Sequence, residues 1–254
     1  MKQDCISKTL GKDIVSVGGL SEKGVSKPFN QDAFRVGVSE KYGLAYIITA
    51  DGLGSCKHSD QGAYTIVTII ERWISTNIPE YSALNDFVVK GLIRGLLLEW
   101  KSSYEAEEIF DYDTTVHVAV YYRGRILIGG IGDGMALIKM NDQICKDTVN
   151  KDSMFSNVTE SICSVNAHEL LKFEIYTVED IDSTAIVIIS TDGISDDLIP
   201  EKKLTLPGYF EETLKREGIT ALQDELTDWI MNWETEGHSD DKTLCYMIVC
   251  REDI

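Results

Sequence analysis

Short apolar stretches that follow one another across tight turns are the feature that most limits how this chain folds. Segments 12–18, 31–38, 43–50, 114–122, 125–131, 134–140, 170–178, 185–191 and 243–250 are rich in Val, Ile and Tyr and bounded by Gly, Asp or Asn. That pattern predicts β-strands. Arg123-Gly124 separates two of them, and Asn141-Asp142 follows a third. Turns this short join antiparallel neighbours. Helical spacing occurs in three places. From Asp60, apolar residues fall at Ala63, Ile66, Val67, Ile70 and Ile74. Segment 83–103 repeats the spacing with Leu84, Phe87, Val88, Leu92 and Leu96, and segment 221–234 with Leu222, Leu226, Trp229, Ile230 and Trp233. One apolar face per helix is implied. Gly218 is expected to end a shorter helix, and Thr220 with Gln223 to form a capping box for the next.

Strands and helices therefore come in runs and do not alternate, which argues against a doubly wound parallel sheet. An α+β layered fold is expected, with antiparallel sheets inside and helices outside. Segment 147–168 has little periodicity and many polar residues. It reads as a flap-like loop between sheet strands, and long irregular segments of this kind tend to be functional.

The 254 residues suffice for a real core, with 43% hydrophobic content and a formal charge of −18 from 42 acidic and 24 basic side chains. Such an acidic chain is a poor partner for nucleic acid or for an anionic membrane, because both need an excess of Lys and Arg. No stretch has the length and apolarity of a membrane helix, and the N-terminus lacks a signal-peptide core. The six cysteines form no CxxC pair and no zinc-like cluster with His. They read as reduced thiols of a cytoplasmic protein.

Particular aspartates recur at the ends of apolar strands. Asp51 follows YIITA, Asp192 follows AIVIIST, and Asp133 follows ILIGGIG; each precedes a Gly. Asp32 opens DAFRVGV, and Asp240-Asp241 precede TLCYMIVC. For any one of them, a simple turn role suffices, because Asp bonds its own backbone and Gly takes positive φ. Together they carry a different meaning. Strand ends from distant parts of a chain converge on one edge of a layered fold, and carboxylates gathered there repel one another unless cations balance them. Hard divalent ions such as Mg²⁺ and Mn²⁺ take oxygen ligands and only a few carboxylates.

The ordered set NQDAF, TADGLGS, GGIGDG, STDGISD and SDDKTL resembles the metal-dependent Ser/Thr protein phosphatases of the 2C type, in particular their bacterial branch. The resemblance spans about residues 14–250. It implies a four-layer α-β-β-α sandwich, with two antiparallel β-sheets flanked by helices and residues 1–254 forming one phosphatase domain. It also implies the site. Asp51 would bridge two Mn²⁺ or Mg²⁺ ions, and the Gly52 carbonyl would bind one of them. Asp192 and Asp240 would complete the first ion's site, and Asp32 would act on the second through water. Asp133 and Asp192 match the ligands of a third, weaker ion in bacterial members. The activity implied is hydrolysis of phosphoserine or phosphothreonine by a water held between two metals. A phosphorylated protein is then the substrate, and a partner kinase is expected.

The chain departs from the pattern at three points. Leu53 stands where some eukaryotic members carry a His proposed as general acid. His58 and His238 lie near enough in sequence to be weighed as substitutes, though a capping or surface role suits His58, and His117 reads as structural. Lys27 holds the place of a phosphate-binding Arg, offering a point charge in place of a fork. Arg35 is three residues from Asp32, on the other side of the strand. Gly132-Asp133-Gly134-Met135 replaces the usual GDSR, keeping the aspartate alone. Two alternatives stay open: a non-catalytic member of the same fold that binds a signalling partner, and another two-metal phosphoester hydrolase.

Overall fold

The computed structural model describes residues 1–140, 144–148, 159–178, 184–233 and 239–251. The chain opens with β1 (Lys2–Leu10), β2 (Asp13–Glu22), β3 (Asp32–Ser39) and β4 (Leu44–Asp51). Two helices follow, α1 (Ser59–Asn77) and α2 (Asp86–Ser102), then β5 (Val116–Tyr122), β6 (Arg125–Ile131), β7 (Met135–Met140) and β8 (Ile144–Asp147). The short α3 (Ala167–Leu170) leads to β9 (Lys172–Thr177) and β10 (Thr184–Ser190). Then come α4 (Asp192–Ser195), α5 (Pro200–Lys203), α6 (Leu206–Met231) and the closing β11 (Lys242–Arg251).

Among the described residues the strands form two antiparallel sheets, ordered β1-β2-β11-β10-β7-β8 and β3-β4-β5-β6-β9. The period of two in each strand builds the layers. In β4, Ala45 and Ile47 face the core between the sheets, while Tyr46, Ile48 and Ala50 face the core under α1 and α2. In β10, Ala185, Val187 and Ile189 face the inter-sheet core, while Ile186 and Ile188 face α6. The strands are apolar on both faces because both faces are covered. The order is helices, sheet, sheet, helix, as the four-layer expectation has it. No described helix is long and apolar enough to cross a membrane.

The local signals behave as their chemistry dictates. Ala63, Ile66, Val67, Ile70 and Ile74 are all buried on α1. Asn85 caps α2 by accepting from the N–H groups of Phe87 and Val88. Arg123 and Gly124 both take positive φ, 48° and 77°, in the two-residue turn between β5 and β6. Gly218 breaks the helical backbone of α6 at φ 85°, so the interruption falls where the glycine predicts it.

Two features differ from the sequence expectation, and some expectations fall outside the described residues. β1 is an added edge strand, almost wholly exposed, that pairs with β2 from Lys2↔Ser21 to Leu10↔Asp13. Gln223 is turned inward, where its side-chain oxygen accepts from the buried Tyr246 hydroxyl and does not reach back toward Thr220. Part of the flap-like segment lies outside the described residues, as do Asn141-Asp142 and His238. Of that segment, Ile162 and Ala167 pack against the helical layer.

Candidate active site

The site forms where β3, β4, β10 and β11 present their ends at one edge of the sandwich. β3 and β4 pair so that Asp32 lies directly opposite Asp51. Directly paired residues project to the same side of a sheet, about 5 Å apart at Cβ, so the register alone sets two carboxylates side by side. The Asp51 backbone is held from the next strand. Its carbonyl accepts from Thr115 N at 2.8 Å and from Thr114 Oγ1 at 2.7 Å. Its N–H donates to Thr115 Oγ1 at 3.2 Å.

Gly52 follows because nothing larger fits. A Cβ there would stand 2.3 Å from the Ser59 carbonyl oxygen at the start of α1. Its N–H donates to Gln31 O at 3.2 Å. Gln31 also donates to Ser59 Oγ at 2.6 Å, tying the β3 entry to α1. Asp192 begins α4, directly after β10 and Thr191. The next residue, Gly193, passes so close to β11 that a Cβ would meet the Asp241 carbonyl at 2.0 Å.

Asp240 and Asp241 are neighbours with separate tasks. Asp241 is 2% exposed and accepts from Gly24 N and Gln31 N, both at 2.8 Å. It holds the 24–31 loop against β11. Asp240 faces the site, where Lys27 Nζ lies 2.6 Å from Oδ1. Lys27 also donates to Gln31 Oε1 at 2.8 Å. Burial works against the Lys27 charge, but Asp240, Asp241 and Asp51 outweigh it and hold the ammonium above its ordinary pKa.

The carboxylates perturb one another strongly. Burial, then the charges of Asp32, Asp192 and Asp240, push Asp51 well above the ordinary range. A hydrogen bond between Asp51 and Asp192 raises Asp51 further and works to lower Asp192, so the two titrate as a pair. Asp192 rises to about 6, from burial first and then from Asp133 and Asp240. Burial takes Asp32 to about 7, against hydrogen bonds from Thr243 and Thr191 that favour its charged form. The Thr191 hydroxyl donates to Asp32 Oδ2 at 2.8 Å.

Asp133 sits apart from this group at the rim. It is exposed and accepts from Thr159 Oγ1 at 2.6 Å, yet its charge still raises Asp192. His58 stands at the head of α1 with its ring stacked on Tyr112, centroids 5.1 Å apart. His117 is buried beneath Gly130 and Gly134. Arg35 turns away from Asp32, as strand alternation requires, and binds Glu71 at 3.3 Å and the Tyr64 ring face at 4.8 Å. A cleft of about 610 Å³ opens beside Asp32, lined by Asn30, Arg35, Asp60 and Tyr64 among others.

Gln31, Thr191 and Asp113 were not among the sequence candidates, and Asp241 was noted only as a strand-end aspartate with no role assigned. Asp113 is 8% exposed, and its carboxylate accepts from Thr114 N at 2.8 Å, Ser161 Oγ at 2.6 Å and Cys163 N at 3.1 Å. Its carbonyl accepts from Leu53 N at 3.0 Å. It clamps segment 161–163 to the turn that carries Asp51. The adjoining Asp-Thr-Thr gives no hint of this, because the partners lie about 50 residues away.

The donor set at this edge is all oxygen, which suits a hard divalent ion. Among the described residues, no three Asp, Glu, His or Cys side chains stand close enough together to hold one as placed. As placed, Asp240 is paired with the Lys27 ammonium.

A family model described as Protein phosphatase 2C matches residues 23–231. The fold is shared with the serine/threonine phosphatase of S. agalactiae at a TM-score of 0.68 and 18% identity, covering 94% of this chain and 100% of that one. The catalytic domain of the serine threonine protein phosphatase PstP, solved with two manganese ions, gives 0.66 at 12% identity, covering 94% and 99%. RsbX, solved with magnesium, gives 0.56 at 13% identity, covering 98% and 100%. No curated protein matches the chain. At these identities the structural likeness is one of fold.

Proposed function

The chain belongs to the protein phosphatase 2C family, and from that membership and the acid cluster we propose that it is a metal-dependent phosphatase acting on phosphoserine and phosphothreonine in proteins. The observation that carries the reading is the in-register pair Asp32↔Asp51, with Asp192 near enough for its charge to raise Asp51 further. A cluster that holds protons near neutral pH is one that a divalent cation stabilises by displacing them.

Asp51, the Gly52 carbonyl, Asp192 and Asp240 are the groups that would hold two Mn²⁺ or Mg²⁺ ions, with Asp32 acting through water and Asp133 with Asp192 available to a third. When bound, such ions lower the pKa of water and neutralise charge on the phosphoryl oxygens. The protein's own part is positioning. Asp241 and Gln31 fix the loop that carries Lys27. Lys27 Nζ then offers a point charge beside Asp240, suited to orient a phosphate oxygen. Thr191 and Thr243 hold Asp32 by hydrogen bonds that favour its carboxylate form.

The substrate supplies its phosphoresidue through a kinase, which makes a partner kinase part of the reading. The five described cysteines are all free, which supports a reducing, cytoplasmic setting. Elements drawn from Lys2 to Arg251 share two sheets, which supports reading residues 1–254 as one domain.

One observation favours a non-catalytic reading: Lys27 engages Asp240 itself, at 2.6 Å. The two readings separate on one experiment. Release of phosphate from an aryl phosphate and from a phosphopeptide is measured with Mn²⁺ and with chelator. Activity should require the metal and fall on the order of 100-fold in Asp51→Asn and Asp192→Asn. Metal-independent release, or full activity in both variants, sinks the proposal.

A further inference from the structure

The whole surface of this acidic chain is not alike. On α2, Lys90, Arg94 and Lys101 are exposed and stand at i, i+4 and i+11, on one face. None of the three has an ion-pair partner among the described residues, and the nearby Glu99 is taken by Arg72 of α1. Between them runs an apolar stripe, Ile93, Leu97 and Leu98. Across from it stand Phe110, Ile162 and Val165. Together they line a groove of about 620 Å³. Leu98, Phe110 and Val165 are exposed there.

Both walls are preformed. α2 is packed on α1 through Val88, Leu92, Leu96 and Trp100. The opposite wall is pinned by Asp113 to Ser161 and Cys163, and by Ile162 N donating to Thr114 O at 3.0 Å. A fixed apolar groove loses little ordering entropy when it takes a ligand. The groove lining carries these three cationic side chains and no carboxylate, on a chain of net charge −18, so it offers an acidic ligand attraction without local repulsion from the lining itself.

We propose that the groove between α2 and segment 162–168 is a docking site for an acidic segment of another protein that carries large apolar side chains. The apolar groups fill the floor, and the carboxylates meet Lys90, Arg94 and Lys101. Elsewhere on the surface such a segment meets an excess of like charge, so electrostatics steer it to this face. The site is separate from the aspartate cluster, and the inference stands whether or not that cluster hydrolyses phosphoesters.

The test is selection of a displayed random peptide library on the intact protein, followed by fluorescence anisotropy of the enriched peptides. Enriched peptides should carry net negative charge and at least two large apolar residues. Their affinity should drop about tenfold or more in Lys90→Glu combined with Arg94→Glu, and also fall with added salt. These side chains are exposed and unpaired, so the melting temperature should hold. Leu98→Asp, on the exposed floor, gives a second variant with the same expected loss. Neutral or basic winners, no enrichment, or unchanged binding in both variants overturns the proposal. So does self-association of the chain that these variants abolish, because the occupant would then be a second copy.

Discussion

The acid cluster makes the metal-free protein lose stability as pH rises. Moving a carboxyl from its ordinary 3.8 to about 7, as at Asp32, ties about 4 kcal/mol of folding free energy to its proton, and moving one to about 6, as at Asp192, about 3 kcal/mol. Solvent reaches both side chains, and the Asp192 charge is one of those that raise Asp32, so the contributions overlap. Roughly half the combined figure, about 3 kcal/mol, is the expected net effect. The sign follows from where the protons sit. Between about pH 4 and 7 the folded chain holds protons that the unfolded chain has released, so stability is complete below pH 4 and is lost as pH rises through 6 to 7. Glu174 and Glu211 are lowered: burial opposes this but is outweighed by hydrogen bonds from Lys146 and Tyr176, and from Lys139 and Lys215. Their stabilisation is lost only as pH falls below the ordinary carboxylate range, outside this window.

The assay is thermal unfolding at pH 5 and pH 8, with chelator and with millimolar Mn²⁺. About 2 kcal/mol of this falls between pH 5 and pH 8, the rest being lost already below pH 5, so at about 2–4 °C per kcal/mol for a chain of this size the chelated protein should melt about 4–8 °C lower at pH 8. Mn²⁺ should remove that loss, because it binds the deprotonated cluster, and its stabilising increment should therefore grow with pH. Asp32→Asn should remove a large share of the slope in chelator. A melting temperature that is flat or rises from pH 5 to 8 in chelator refutes the reasoning, as does a full slope in Asp32→Asn.

Three further outcomes are expected. Asp241→Ala leaves the N–H groups of Gly24 and Gln31 without their buried acceptor, which costs about 3 kcal/mol, and differential scanning calorimetry should show it. Gly52→Ala forces a Cβ to within 2.3 Å of the Ser59 carbonyl, so Mn²⁺ affinity by titration calorimetry should weaken about tenfold as the Asp51 turn shifts. Asp113→Ala releases segment 161–163, so hydrogen exchange at Ile162 and Cys163 should accelerate, and KM for a phosphopeptide should rise more than KM for an aryl phosphate.

Much of this architecture was legible because burial on two faces leaves a strong mark. The runs at 43–50 and 185–191 are continuous and apolar since each feeds two cores. β1 left no such mark. It is an edge strand with polar residues on both faces, held by its backbone pairing with β2, and backbone pairing has no residue signature. Gln223 was misjudged for a related reason. A Thr and a Gln three apart at a helix start satisfy the capping pattern, but the buried Tyr246 hydroxyl needs a partner and takes the glutamine inward.

The Asp240-Asp241 pair shows where sequence reading of the site runs out. Strand entry sends consecutive side chains to opposite sides, so two adjacent aspartates cannot serve the same purpose. The sequence supplied the alternation without saying which face is the site. The backbone decides it: Gly193 passes against the Asp241 carbonyl, and the N–H groups of Gly24 and Gln31 converge on the Asp241 carboxylate. That leaves Asp240 facing Lys27. The buried member of the pair accepts from two neutral N–H donors, while the half-buried Asp240 accepts from the Asp241 N–H and pairs with the Lys27 ammonium. A divalent ion and Lys27 therefore compete for one carboxylate. Replacing Lys27 with Met should raise Mn²⁺ affinity while impairing phosphate binding, so that the metal titration moves left and KM moves up. Equal or weaker Mn²⁺ binding in that variant would mean that Lys27 does not contest Asp240.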